Sequence, residues 1–130
     1  MRTLTAMAAG ASVVAVGLLV ATVPASAEPD PPDCPKGNVC VFSVDDVQGP
    51  AVIKTTGNWS GSYTVGPSGS VVFNNGAPQP GLDHVQATWI SDGKTFGRCL
   101  HNNPGPGDYR VTLTRDLILT SLVWRGECAD

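Results

Sequence analysis

The chain has 130 residues, eight Lys and Arg against eleven Asp and Glu, and a formal net charge of −3. That acidic balance, scattered rather than blocked, argues against nucleic acid or an anionic membrane as partner, since both select a basic face. Four cysteines, fifteen glycines and eleven prolines in so short a chain point instead to a small, turn-rich, cross-linked protein.

Residues 1–27 have the parts of a secretory signal. Arg2 is the only charge before Glu28, a low-polarity run extends from Ala6 to Val23, and Ala25-Ser26-Ala27 supplies the small residues of a cleavage site. A membrane anchor is the competing reading, because about eighteen apolar residues can cross a bilayer. Ala and Gly fill much of this run and the cleavage pattern falls where a signal should stop, so export with cleavage is expected. Residues 28–130 then hold seven basic and eleven acidic side chains, in a length that leaves no room for two independent cores. One secreted, extracellular domain is expected, acting as a monomer.

From residue 38 onward the pattern is that of short strands. Candidates are 38–44, 51–55, 70–74, 84–91, 95–100, 109–114 and 117–124, rich in Val, Thr, Ile and aromatics, with Gly, Pro, Asn or Asp in each gap. Val85, Ala87 and Trp89 alternate with Gln86 and Thr88, and Val111 and Leu113 alternate with polar neighbours, which predicts one buried and one wet face. The run 117–124 is apolar on both faces and is expected centrally in a sheet. The glycine-rich segment 55–70 is a long connection with room for one short strand around Tyr63. The clusters 74–81 and 101–108 are turns or loops, and loops on a rigid scaffold are where binding functions concentrate. The fold expected is an all-β sandwich.

Cys34, Cys40, Cys99 and Cys128 form an even set in an exported chain, hence two disulfides. Three connectivities are possible; Cys34–Cys40 with Cys99–Cys128 is preferred because each bridge closes within one half of the chain. Zinc is disfavoured: there is no C-x-x-C, and Cys99-Leu100-His101 offers only two ligands where zinc takes three or four. No metal and no cofactor are expected.

The stretch "CVFSVDDVQG" (40–49) places six residues, acids among them, between Phe42 and Gly49. It resembles the aromatic-x6-glycine hairpin of βγ-crystallins, in which the aromatic packs over the hairpin and the glycine takes a backbone conformation closed to other residues. The preceding "CPKGNVC" (34–40) resembles the opening of small secreted actinobacterial proteins of peptidase inhibitor family I36. The resemblance implies a disulfide-stapled Greek-key β-sandwich, βγ-crystallin-like, and secreted metalloproteinases as targets. It also implies two units: Phe42–Gly49 followed by Asp83 and its strand, and 99–107 followed by Asp116 to Ser121. His101 stands where the second unit should carry an aromatic. The calcium motif of such units is thinned at Asp83-His84-Val85-Gln86-Ala87-Thr88 and at Asp116 to Ser121, and calcium wants six to eight oxygens, so no calcium site is expected.

No catalytic pattern stands out. His84 follows Asp83 directly, which on a strand sends the two side chains to opposite faces and prevents an Asp-His dyad; no serine has a G-x-S-x-G setting. An enzyme is not expected. The leading expectation is a proteinase inhibitor binding a secreted protease or another extracellular macromolecule, with an extracellular toxin or antimicrobial module, or a wall- or glycan-binding module, as alternatives. The binding residues staked are Asp45 and Asp46 in the loop 43–49, and His101, Asn102, Asn103 and Asp108 in the loop 101–108, for exposure and rigidity. Trp59, Tyr63, Trp89 and Trp124 would serve a glycan only if exposed together; Trp89 and Trp124 are expected in the core.

Overall fold

The computed structural model describes residues 28–79, 82–104 and 107–129. The expected signal segment, and Gly105 and Pro106 of the second loop, lie outside the described residues. Eight strands follow in order: β1 (Asn38–Phe42), β2 (Ala51–Thr55), β3 (Trp59–Thr64), β4 (Ser70–Asn75), β5 (His84–Ser91), β6 (Lys94–Leu100), β7 (Arg110–Leu113) and β8 (Ile118–Arg125). The strand around Tyr63 is β3, and the others lie on the alternating runs of the sequence. No helix among the described residues is long and apolar enough to cross a membrane.

The strands form two four-stranded sheets, β2-β1-β4-β7 and β3-β8-β5-β6, and the pairings are antiparallel. In each sheet the first strand of one half lies between its second and fourth, and the outer place beside the fourth goes to the third strand of the other half. β3 therefore leaves β1, β2 and β4 for the second sheet, and β7 leaves β5, β6 and β8 for the first. The look-alike segments 83–91 and 116–124 are not equivalent positions of two units. They are β5 and β8, the first and fourth strands of one half, and they pair with each other. Nor does 99–107 close a hairpin: β6, before it, and β7, after it, lie in different sheets. The first hairpin of the second half is β5–β6, whose two-residue turn has Asp92 at φ 50° and Gly93 at φ 72°, the pair of left-handed conformations a tight hairpin needs.

The main core lies between the sheets. Val39, Val41, Val72 and Leu113 from the first sheet meet Val85, Ala87, Leu100, Leu119 and Leu122 from the second, with Val65 between them. Trp59, Tyr63, Trp89 and Trp124 pack partly against it, so the aromatics do not form one exposed row. A second cluster covers the outer face of the first sheet: Cys34, Cys40, Phe42, Val47, Val71 and Phe73, with Ala51 and Tyr109 alongside. The doubly covered strands are thus β1 and β4, not β8. β8 does sit inside its sheet, but Val123 on its outer face is 38% exposed. The apolar run misleads because of a β-bulge. Thr88 pairs with Ser121 and Trp89 with Leu119, which leaves Thr120 as the extra residue, and its hydroxyl donates to Thr88 O at 3.1 Å. One inserted residue resets the two-residue period, so Leu119 and Leu122, three apart, both face the core.

The disulfides are Cys34–Cys40 and Cys99–Cys128, the preferred pairing. Phe42 is buried in the second cluster together with Val47 of the segment that follows β1. Gly49 departs from the expectation: it is not among the positive-φ residues, and a Cβ there would meet nothing within 4 Å.

Candidate functional site

The two staked loops lie at opposite ends of the first sheet. β1 runs from Asn38, opposite Asn75, to Phe42, opposite Val71. The 43–50 connection therefore leaves one end, while the segment after β6 lies at the other, where Asn103 N donates to Asn74 O at 3.1 Å. Arg110 stands between them, 3.1 Å from Glu28 at the second end and 3.9 Å from Asp45 at the first.

At the first end Asp45 and Asp46 are exposed. Asp46 Oδ1 accepts from Gln48 N at 2.9 Å, a local turn bond. Asp45 Oδ1 accepts from Thr112 Oγ1 at 3.4 Å and stands 3.9 Å from Arg110, spacing that ties the hairpin only loosely to β7.

At the second end the chain is held far more tightly. Asn103, expected at the surface, is fully buried. Its Nδ2 donates to Glu28 O at 2.7 Å, and its carbonyl accepts from Lys36 Nζ at 2.9 Å. Lys36 Nζ also donates to Asn75 Oδ1 at 2.8 Å, and Asn75 Nδ2 donates to Cys34 O at 2.7 Å. Glu28 accepts from Tyr109 Oη at 2.5 Å and pairs with Arg110 at 3.1 Å. The hydrogen bond to Glu28, then burial and the carboxylate's charge, holds the Tyr109 hydroxyl above its usual pKa. The segment 28–37, itself stapled by Cys34–Cys40, thus clamps Asn103 against β4. Around the clamp Asn102 is half-buried, Pro104 and Asp108 are exposed, and Asp108 pairs with Arg98 while its carbonyl accepts from His101 N at 2.8 Å.

Beside this loop lies a cluster that the sequence reading missed. His84 Nδ1 is 2.7 Å from Asp83 Oδ1, and His84 Nε2 is 2.9 Å from His101 Nδ1. The expected separation of Asp83 and His84 onto opposite faces fails because β5 starts at His84. Asp83 still belongs to the bend before it, where its carboxylate also accepts from Gln79 N at 3.4 Å. Pleat geometry governs only residues inside the strand. Asn74 sets the approach of the two rings, since its Nδ2 donates both to Asp83 O at 2.9 Å and to Leu100 O at 3.1 Å. Glu127 Oε2 closes the group at 3.3 Å from His84 Nε2. His84 is only 4% exposed, whereas Glu127 is 79% exposed, so the cluster opens to solvent on one side. The signal in the sequence was faint: two histidines in 130 residues, each near one end of the paired strands β5 and β6.

Among the described residues, a surface cleft of about 250 Å³ lies at the same end, lined by Gly37, Thr56, Ala77, Gln79, Leu82 and Trp124. Trp124 Nε1 donates to Gly57 O at 3.2 Å, which leaves the apolar part of the ring to the cleft. No protein-family model, curated protein or solved structure matches this chain.

Proposed function

We propose that this is a secreted, monomeric binding protein that inhibits an extracellular proteinase, using the clamped end of the sandwich that carries residues 101–104, 107 and 108. One observation carries the reading: the buried Asn103, tied to Glu28, Lys36 and Asn74, holds the connection beneath an exposed Pro104 and Asp108. A loop ordered before it meets a protease loses little conformational freedom on binding, and such pre-organisation is what separates an inhibitor from a substrate. The partner is read as protein, not nucleic acid or membrane, and no catalysis is assigned to the chain itself.

The finer fold reading, a Greek-key sandwich of the βγ-crystallin kind, is supported by the exchange of third strands between the halves and by the burial of Phe42 in one cluster with Val47. Gly49 and the 99–107 connection depart from that pattern. Kinship with peptidase inhibitor family I36 rests on "CPKGNVC" and favours metalloproteinases as targets; fold likeness by itself would not carry an activity. The test is titration of secreted metalloproteases and serine proteases with the oxidised protein. Stoichiometric loss of activity in one class, with the inhibitor left intact, is expected, and Asn103→Ala should weaken that inhibition at least about tenfold by loosening the loop. Full protease activity at micromolar inhibitor would refute the reading.

A glycan-binding alternative is favoured by the cleft beside Trp124, since a sugar ring stacks on an aromatic face while polar neighbours such as Gln79 and Thr56 read its hydroxyls. Retention on a cell-wall polysaccharide, lost in Gln79→Ala with melting unchanged, would support it.

A further inference from the structure

We propose that His84, His101 and Glu127 form a binding site for one divalent transition-metal ion of the zinc class, with Asp83 as the group that orients His84. The reading is independent of proteinase inhibition. It revises the expectation, read from the sequence, that the chain holds no metal.

Two ring nitrogens face each other, and a carboxylate oxygen stands beside the first of them. His101 Nδ1 lies 2.9 Å, and Glu127 Oε2 3.3 Å, from His84 Nε2. Two imidazole nitrogens bound to one tetrahedral zinc stand about 3.3 Å apart. To admit an ion the rings need to part by about 0.4 Å and turn their lone pairs to one side, and Glu127, whose side chain is 79% exposed, must swing toward His101 to become the third ligand. Binding replaces the hydrogen that the two nitrogens share; His101 then carries its proton on Nε2, and both lone pairs turn to the metal.

The surroundings supply what a metal site requires beyond its ligands. A ligating histidine characteristically gives its other ring N–H to a carboxylate, which fixes tautomer and orientation. Asp83 Oδ1, 2.7 Å from His84 Nδ1, is that carboxylate, held in turn by Gln79 N. His101 is positioned by close approach of Gly107: at φ 96°, any Cβ there would come within 2.3 Å of the imidazole. The Cys99–Cys128 bridge pins together the two segments that carry His101 and Glu127. Cys128 Sγ lies near both rings, but it is spent in the disulfide and is no ligand. Two nitrogens and one carboxylate oxygen select zinc, copper or nickel over calcium and magnesium, which take oxygen alone. Three protein ligands leave the fourth position to water or to a partner's side chain.

The test is titration of the oxidised, chelator-stripped protein, carrying no histidine tag, with zinc chloride against a chromophoric chelator. One ion per chain at micromolar affinity or tighter is expected. His101→Ala and Glu127→Gln should each weaken binding at least about tenfold, and Asp83→Asn about 10- to 100-fold, while the metal-free variants still melt cooperatively. Should a variant fail to fold, ring-nitrogen resonances of the unmodified protein decide: zinc must move those of His84 and His101. Millimolar affinity, undiminished binding in both His101→Ala and Glu127→Gln, or unmoved ring nitrogens would each overturn the proposal.

Discussion

Asp33 shows what one carboxylate at the surface can fasten. Its Oδ1 accepts from Lys54 Nζ at 2.6 Å and its Oδ2 from Ala51 N at 2.8 Å, so the 28–37 segment is moored to β2 as well as to the 101–108 connection. The Lys54 bond first, then the Ala51 amide, holds its pKa below the usual carboxylate value. A lowered pKa means that the ionised form is favoured by folding. Its stabilisation is present above about pH 3.9, the unfolded value, and disappears as pH falls through the lower folded one. Thermal melts should therefore separate Asp33→Asn from the unmodified protein at neutral pH and bring the two together as the solution is acidified below that value. Tyr109 works in the opposite sense. Its raised pKa favours the protonated hydroxyl, so its contribution holds below about pH 10 and is lost as pH rises through the higher folded value. Tyr109→Phe should cost about 1.5–3 kcal/mol at neutral pH in a denaturant titration, the worth of a hydrogen bond to a charged acceptor. Residue-level chemistry was the least legible in sequence. Asp83 and His84 were adjacent in plain sight, yet their contact depended on where β5 begins, and strand ends are set by tertiary contacts that a local pattern does not contain.

Among the elements, the two bridges differ in what they close. Cys99–Cys128 spans 29 residues and Cys34–Cys40 only six. In the loop-closure model these correspond to about 3.6 and about 2 kcal/mol. Replacing Cys99 and Cys128 together with serine should destabilise the protein more than the same change at Cys34 and Cys40, as read from urea midpoints. The reverse order would mean that Cys34, buried in the second cluster, matters chiefly through packing. Strand positions were legible because alternation and turn residues act over a few neighbours; β4 to β6 fell close to where the pattern put them. What alternation hid was phase. Thr120, inserted in β8, made a one-sided strand look two-sided, whereas Val71, Val72 and Phe73 of β4 are truly covered on both faces.

For the molecule as a whole, the division of labour between the two apolar clusters sets where substitutions hurt. Leu122 is fully buried between the sheets and Val123, its neighbour, is partly exposed. Leu122→Ala should cost about 2–5 kcal/mol through lost burial and the cavity left behind, and Val123→Ala well under 1 kcal/mol; similar losses at both would contradict the placement of the core. An all-β sandwich with two bridges was accessible from composition and period. The assignment of strands to sheets was not, because partners 30 or more residues apart leave no mark on local sequence, and the approach of Glu127 to His84 depends on the pairing of β8 with β5.

The exchange of third strands has a consequence for how the chain tolerates being cut. Neither half owns a complete sheet: residues 38–75 lack the strand that flanks β4, and residues 84–125 lack the one that flanks β8. Each piece alone would expose a bare hydrogen-bonding edge beside its fourth strand, shaped to receive its counterpart's third. Cleavage in the 76–83 connection should therefore yield two fragments that remain unfolded apart and recover the native circular dichroism when mixed. At high concentration, two intact copies could trade halves by the same route and form an intertwined dimer.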